Sequence, residues 1–201
     1  MVERGSETEA VEPEAYVDLY WIPLGAGGHV VRLSGRVYEV ISARIQHRPP
    51  YALYHSALIV QLPGSRFVIE QTPVIDGRGH DRGVAIEGPV GMKRAGRFRI
   101  FRYEVRRWRD GVIPDLADAV GGPIRVTVDP AQAARVVDLV ASVPPLVWGR
   151  DERHAGEMWN SNAVLSWILT NAGIDAAAIS PPPGGRALGW RAGIAIAEMS
   201  G

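Results

Sequence analysis

Apolar and polar positions are patterned most clearly in YALYHSALIVQLPGSRFVIEQTPV, residues 51–74. Two runs rich in apolar and β-branched side chains flank Pro-Gly-Ser, which predicts a β-hairpin. GRFRIFRYEVRRW predicts another strand, with Phe101, Tyr103 and Val105 alternating on one side. AYVDLYWIPLGAGG starts as a strand and ends in a glycine loop. Elsewhere the period lengthens. Val37, Ile41 and Ile45 fall four apart on one helix face, with Ser34 as cap and Pro49-Pro50 as the stop. DPAQAARVVDLVASV predicts a firmer helix: Asp129 caps it, Pro130 takes its first turn, and Val136, Val137 and Val140 face inward. Val164, Leu165, Ile168, Leu169 and Ala172 form the apolar stripe of a further helix. IPDLADAV predicts a short helix. The stiff loop SPPPGGRALGW leads into a terminal strand, AGIAIA.

Strands and helices are partly segregated along the chain, which predicts an α+β fold. The Glu-rich residues 1–13 are expected to be a disordered acidic tail, and residues 14–201 a single domain. Hydrophobic residues make up 46% of the 201, enough for a real core. Lys plus Arg equals Asp plus Glu at 22 each, so no excess of positive charge points to nucleic acid. Arg outnumbers Lys and Ala, Gly and Val abound, a bias expected of a GC-rich bacterial genome. The chain has no cysteine, which removes disulfides, thiolate metal sites and cysteine catalysis. The N-terminus has no apolar core of a secretory signal, and no apolar run approaches the length of a membrane span. A cytoplasmic protein is the expectation.

Three positions carry candidate chemistry. Ser161 opens the helix of GEMWNSNAVLSWILTNAG, one turn before Val164 and Leu165. A side chain there meets free backbone N–H groups and the positive end of the helix dipole, which would stabilise an oxyanion. The same Asn-Ser-Asn run is also an ordinary helix cap. His55 lies inside an apolar strand, either as a general base or as a core imidazole satisfied by one hydrogen bond. Glu70 is a carboxylate in another apolar strand, which is costly unless paired. A two-residue turn at Pro63-Gly64 puts Glu70 on the face of His55. A three-residue loop puts Gln71 there instead.

YHSALIV, FVIEQTP and MWNSNAVLSWILTNAG, in that order over residues 51–173, resemble the circularly permuted papain-like (NlpC-type) hydrolases and their lipid acyltransferase relatives. The resemblance implies an antiparallel sheet with the nucleophile helix packed against it. It also implies His55 as general base, Glu70 as its orienter and Ser161 as nucleophile, acting on amide, ester or thioester bonds without a cofactor. The family nucleophile is normally cysteine, and a serine cannot be pre-ionised as a thiolate is. It needs a base aimed at it during attack. Two functions follow: a hydrolase or acyltransferase working through Ser161, His55 and Glu70, or a catalytically silent module that binds a peptide, glycan, lipid or protein partner.

Trp159, Asn160 and Trp190 are candidate walls of a substrate groove, although large aromatics more often fill cores. Asp76, His80 and Asp81 could chelate a metal, but without a second cluster at ligand spacing they read as a solvated loop. His154 is a rival base in a polar, glycine-flanked setting that reads as exposed loop. KRAGRFRIFRYEVRRWR interleaves arginines with aromatics, a pattern suited to single-stranded nucleic acid or an acidic polymer. Glu87, Glu104, Asp110 and the neutral total favour an edge strand kept soluble by charge.

Overall fold

The computed structural model describes residues 14–24, 52–74, 82–113 and 115–199. The helix expected around Val37, Ile41 and Ile45, and the loop of Asp76, His80 and Asp81, lie outside the described residues. The fold is α+β, a largely antiparallel sheet with three α-helices among the described residues. The strands are β1 (Tyr16–Pro23), β2 (Ala52–Leu62), β3 (Ser65–Pro73), β4 (Val84–Pro89), β5 (Arg102–Arg109) and β6 (Ile124–Thr127), with β7 (Gly185–Arg186) added later in the chain. They lie side by side in the order β4-β5-β3-β2-β1-β6, and β7 pairs in parallel with Ala52 and Leu53 of β2. The helices are α1 (Pro130–Leu139), α2 (Ser161–Asn171) and α3 (Trp190–Glu198).

The hairpin forms where the sequence placed it. Leu62 pairs with Ser65, so the turn is the two residues Pro63-Gly64, and Gly64 takes a φ of 70° that a side chain would resist. That register gives the sheet two faces. Val17, Leu19, Trp21, Tyr54, Leu58, Val60, Ile69, Tyr103 and Val105 point to the face covered by the helices and join the main core. Ile22, Ala57, Ile59 and Val68 point to the opposite face, where Ile113 completes a smaller cluster.

Helix α1 starts as expected: Asp129 accepts the N–H of Ala131, Pro130 opens the helix, and Val136 and Val137 are buried. Helix α2 is more enclosed than its stripe implies. Every residue from Ser161 to Leu169 is buried, because sheet packs on one side and α3 on the other. Contact with α3 depends on Gly193, where a Cβ would come within 2.0 Å of the Ala163 carbonyl oxygen. Ser166 Oγ donates to Trp190 O across the same crossing at 2.7 Å.

Here the structure departs from the pattern. AGIAIA alternates like a strand but lies in α3, because Trp190, Gly193 and Ala197 fall on one helical face against α2. IPDLADAV yields only a 3₁₀ turn, Leu116–Asp118. Phe101 ends a 3₁₀ turn and is exposed, so only Tyr103 and Val105 carry the inward alternation of β5. Nor is β5 an edge strand: it lies between β4 and β3, and its Glu104 and Arg106 are buried. The edges are β4 and β6, both too short to stand out in the sequence.

Candidate site at a split in the sheet

Pairing between β2 and β3 runs from Leu62↔Ser65 to Leu58↔Ile69. Among the described residues it goes no further, although β2 continues along β1 to Tyr54 and β3 continues along β5 to Pro73. The sheet therefore opens between residues 52–57 and 70–73. The N-terminus of α2 docks at this split. Asn162 donates from Nδ2 to Tyr54 O at 2.9 Å and accepts from Ser56 Oγ at 2.9 Å, so one side chain grips β2 on either side of His55. A second donation, to Leu188 O at 2.9 Å, ties in the loop before α3.

Ser161 is the first residue of α2, but it is not the cap. Asn160 is, accepting the Ala163 N–H at 3.1 Å and donating to Leu188 O at 2.7 Å. Ser161 sits at the helix start with 8% of its surface exposed. The structure thus brings Ser161 to the β2 segment that contains His55, through its neighbour Asn162.

The side chains divide between the faces. Trp21↔Ser56 and Ile22↔His55 are adjacent cross-strand pairs, so Ser56 shares the helix-covered face and His55 shares the side of Ile22. Burial holds the His55 imidazole below its ordinary value, with the Asp115 carboxylate pulling the other way. The two-residue turn puts Glu70 on the His55 face rather than Gln71. Glu70, however, directs its carboxylate to Arg106, whose Nη1 lies 3.6 Å away. Burial raises the Glu70 pKa, Arg106 and Arg82 lower it, and Asp115 raises it again, for a net rise. The carboxylate charge that opposes the burial shift of His55 is that of Asp115, in the loop between Ile113 and Leu116, both packed in the same cluster. The sequence hid Asp115 because its 3₁₀ turn is short and 60 positions downstream.

Gln71 lies on the opposite face, 6% exposed, and neither Oε1 nor Nε2 has a hydrogen-bond partner among the described residues. It belongs to the part of β3 beyond the split and pairs with Val105 of β5. The buried Trp21 Nε1, opposite Ser56, is also without a partner among the described residues. Trp159 and Trp190 are core residues at 1% and 6% exposure. Trp190 packs on Trp21 with ring centroids 5.0 Å apart and donates to Ala176 O. The Trp159 indole approaches the Tyr103 hydroxyl without good hydrogen-bond geometry. That hydroxyl donates to Leu146 O at 2.7 Å, and burial pushes its pKa up to about 12. Neither tryptophan walls an open groove. His154 is exposed, with a φ of 55°. Among the described residues no cluster of three or more His, Asp or Glu side chains could hold a metal ion.

Compared with family models, with curated proteins and with solved structures, the chain gives no significant match.

Proposed function

We propose that the chain is a papain-like module that binds rather than cleaves, receiving a polar group of a peptide, glycan, lipid or protein partner at the β2–β3 split. The observation that carries this reading is Gln71, a buried amide on the face where α2 docks, with neither atom partnered among the described residues. Leaving such a group unpaired costs about 1–3 kcal/mol, and a retained cost of that size points to a group held for a ligand. Catalytic silence is supported by three placements. His55 lies on the side of Ile22, Glu70 faces Arg106, and Ser161 is nearly enclosed.

A second reading keeps the chemistry: acyl hydrolysis or transfer through Ser161, with His55 as base and Glu70 behind it. It draws on the grip of Asn162 on both sides of His55, and on a half-buried imidazole whose pKa burial lowers, which favours the form able to take a proton.

Two measurements separate them. A serine-directed fluorophosphonate probe leaves Ser161 unmodified if the module is silent. Labelling that disappears in Ser161→Ala establishes the enzyme instead. Gln71→Leu, measured by urea unfolding without added partner, is expected to stabilise the chain by about 1 kcal/mol. A clear loss of stability means that the amide is used within the fold and overturns the binding reading.

A further inference from the structure

Between β4 and β5 the chain runs through two 3₁₀ turns, Lys93–Arg97 and Arg99–Phe101, with no buried residue in either. Four of its apolar side chains face solvent: Met92 at 57%, Phe98 at 53%, Ile100 at 77% and Phe101 at 43% exposure. Lys93, Arg94, Arg97 and Arg99 are exposed among them, Arg102 follows in an ion pair with Glu87 at 3.0 Å, and residues 90–103 contain no Asp or Glu. The Arg97 guanidinium lies 4.8 Å from the Phe98 ring centroid.

This segment is held in place. Val90 N–H donates to Phe101 O at 2.8 Å and closes its base. Gly91 N–H donates to Trp148 O, Trp148 N–H to Pro89 O, and Arg150 Nε to Gly91 O at 2.7 Å. Lys93 pairs with Glu152 at 2.9 Å. The apolar side chains are thus presented to solvent by a braced backbone, although nothing in the fold requires them there. Exposed apolar groups gathered in one patch mark a contact surface.

We propose that residues 92–102 form a peripheral docking surface for an anionic lipid bilayer. Charge decides the occupant. Cations ringing Phe, Ile and Met match a surface of negative headgroups over acyl chains, where the rings and aliphatic groups insert and the guanidinium groups stay at headgroup level. A second copy of the chain would set the same cations against each other. Single-stranded nucleic acid fits less well, because bases stack on aromatic faces and Met92 and Ile100 provide none. Bracing extends toward the candidate site: Gly149 N–H donates to Trp159 O and Trp159 N–H to Arg150 O, just ahead of α2. The inference is independent of whether Ser161 acts chemically.

Co-sedimentation of the full chain with vesicles tests it. Vesicles of phosphatidylcholine with about one third phosphatidylserine are expected to bind the chain, and pure phosphatidylcholine to leave it in solution. Arg94→Glu with Arg97→Glu should weaken binding at least about fivefold per cation. Ile100→Ser with Phe98→Ser should weaken it about tenfold while leaving the charge intact. All four side chains are exposed, so circular dichroism should report an unchanged fold. No binding to anionic vesicles, equal binding to neutral ones, or binding untouched by Ile100→Ser with Phe98→Ser overturns the proposal. Tighter binding of a single-stranded oligonucleotide, insensitive to that double change, overturns it in favour of a nucleic-acid surface.

Discussion

The two faces of the sheet are held by different physics. The helix-covered face is a continuous apolar core in which α2 is buried along almost its full length, and its polar groups are mostly short-range locks such as Ser56–Asn162 and Ser166–Trp190. The opposite face has only a small apolar cluster, flanked by ion pairs set into the strands. There Arg106 donates from Nε and Nη2 to Glu104 Oε2 at 2.9 and 2.8 Å, and Glu70 lies beyond. Across the sheet, Arg125 forks onto both oxygens of Asp18 at 2.9 and 3.0 Å. Burial on the first face stabilises through area and tolerates imperfect chemistry. Burial on the second stabilises only while every charge keeps its partner. The three candidate residues divide across the sheet, with Ser161 on the helix-covered side and His55 and Glu70 on the other.

The harshest way to break the contrast is Glu104→Ala. It leaves the Arg106 guanidinium buried, with only the longer Glu70 contact, and should cost about 3–5 kcal/mol in urea unfolding. Replacing the pair together, as Glu104→Leu with Arg106→Met, should recover part of that loss, since it removes the stranded guanidinium and leaves only the less enclosed Glu70 carboxylate without its 3.6 Å partner. If the double change is as damaging as the single one, the face is held by shape and not by charge pairing.

Asn162→Ala probes the seam between the faces. It removes the bonds to Tyr54 O, Leu188 O and Ser56 Oγ, and should destabilise by about 2 kcal/mol. It should also speed amide exchange in residues 52–57, where β3 no longer backs β2. Unchanged exchange there would show that β1 alone fixes the strand.

The smallest effect is on pH. The folded pKa of His55 lies below its ordinary 6.5, so the unfolded chain takes up the proton first. The stability tied to the neutral imidazole is complete above 6.5 and falls as pH drops through the folded pKa. Glu70 acts in the opposite sense. Its folded pKa is raised above 4.5, so stability tied to its protonated form is complete below 4.5 and is lost as pH climbs through the folded value. Unfolding midpoints on acidification from neutral should fall less steeply in His55→Asn than in the parent chain. Equal slopes would place the titrating group elsewhere.

Much of the fold was legible because its signals are local. The hairpin followed from apolar runs around Pro-Gly, α1 from Asp129-Pro130 and its valines, and α2 from a stripe four residues apart. The same local logic misled at α3. Alternation in AGIAIA is a strand signal, and only the close approach of Gly193 to Ala163 makes the helix the better packing. β5 looked like a solvated edge because charge in a sequence does not say which strand will lie alongside.

What the sequence determined by itself was the α+β class, the hairpin and the identities of the residues that could act at the start of α2. Each depends on neighbours within a few positions, where periodicity and capping chemistry operate. Tertiary structure decided the rest: that Pro63-Gly64 closes a two-residue turn, that Glu70 spends its charge on Arg106 while the Asp115 charge bears on His55, and that the sheet opens beyond Leu58↔Ile69 with Gln71 buried beside the opening and unpartnered among the described residues. These are pairings between segments tens of residues apart. A side chain's partner there is set by strand register and by what packs across the sheet, and a one-residue change of register would exchange the roles of Glu70 and Gln71.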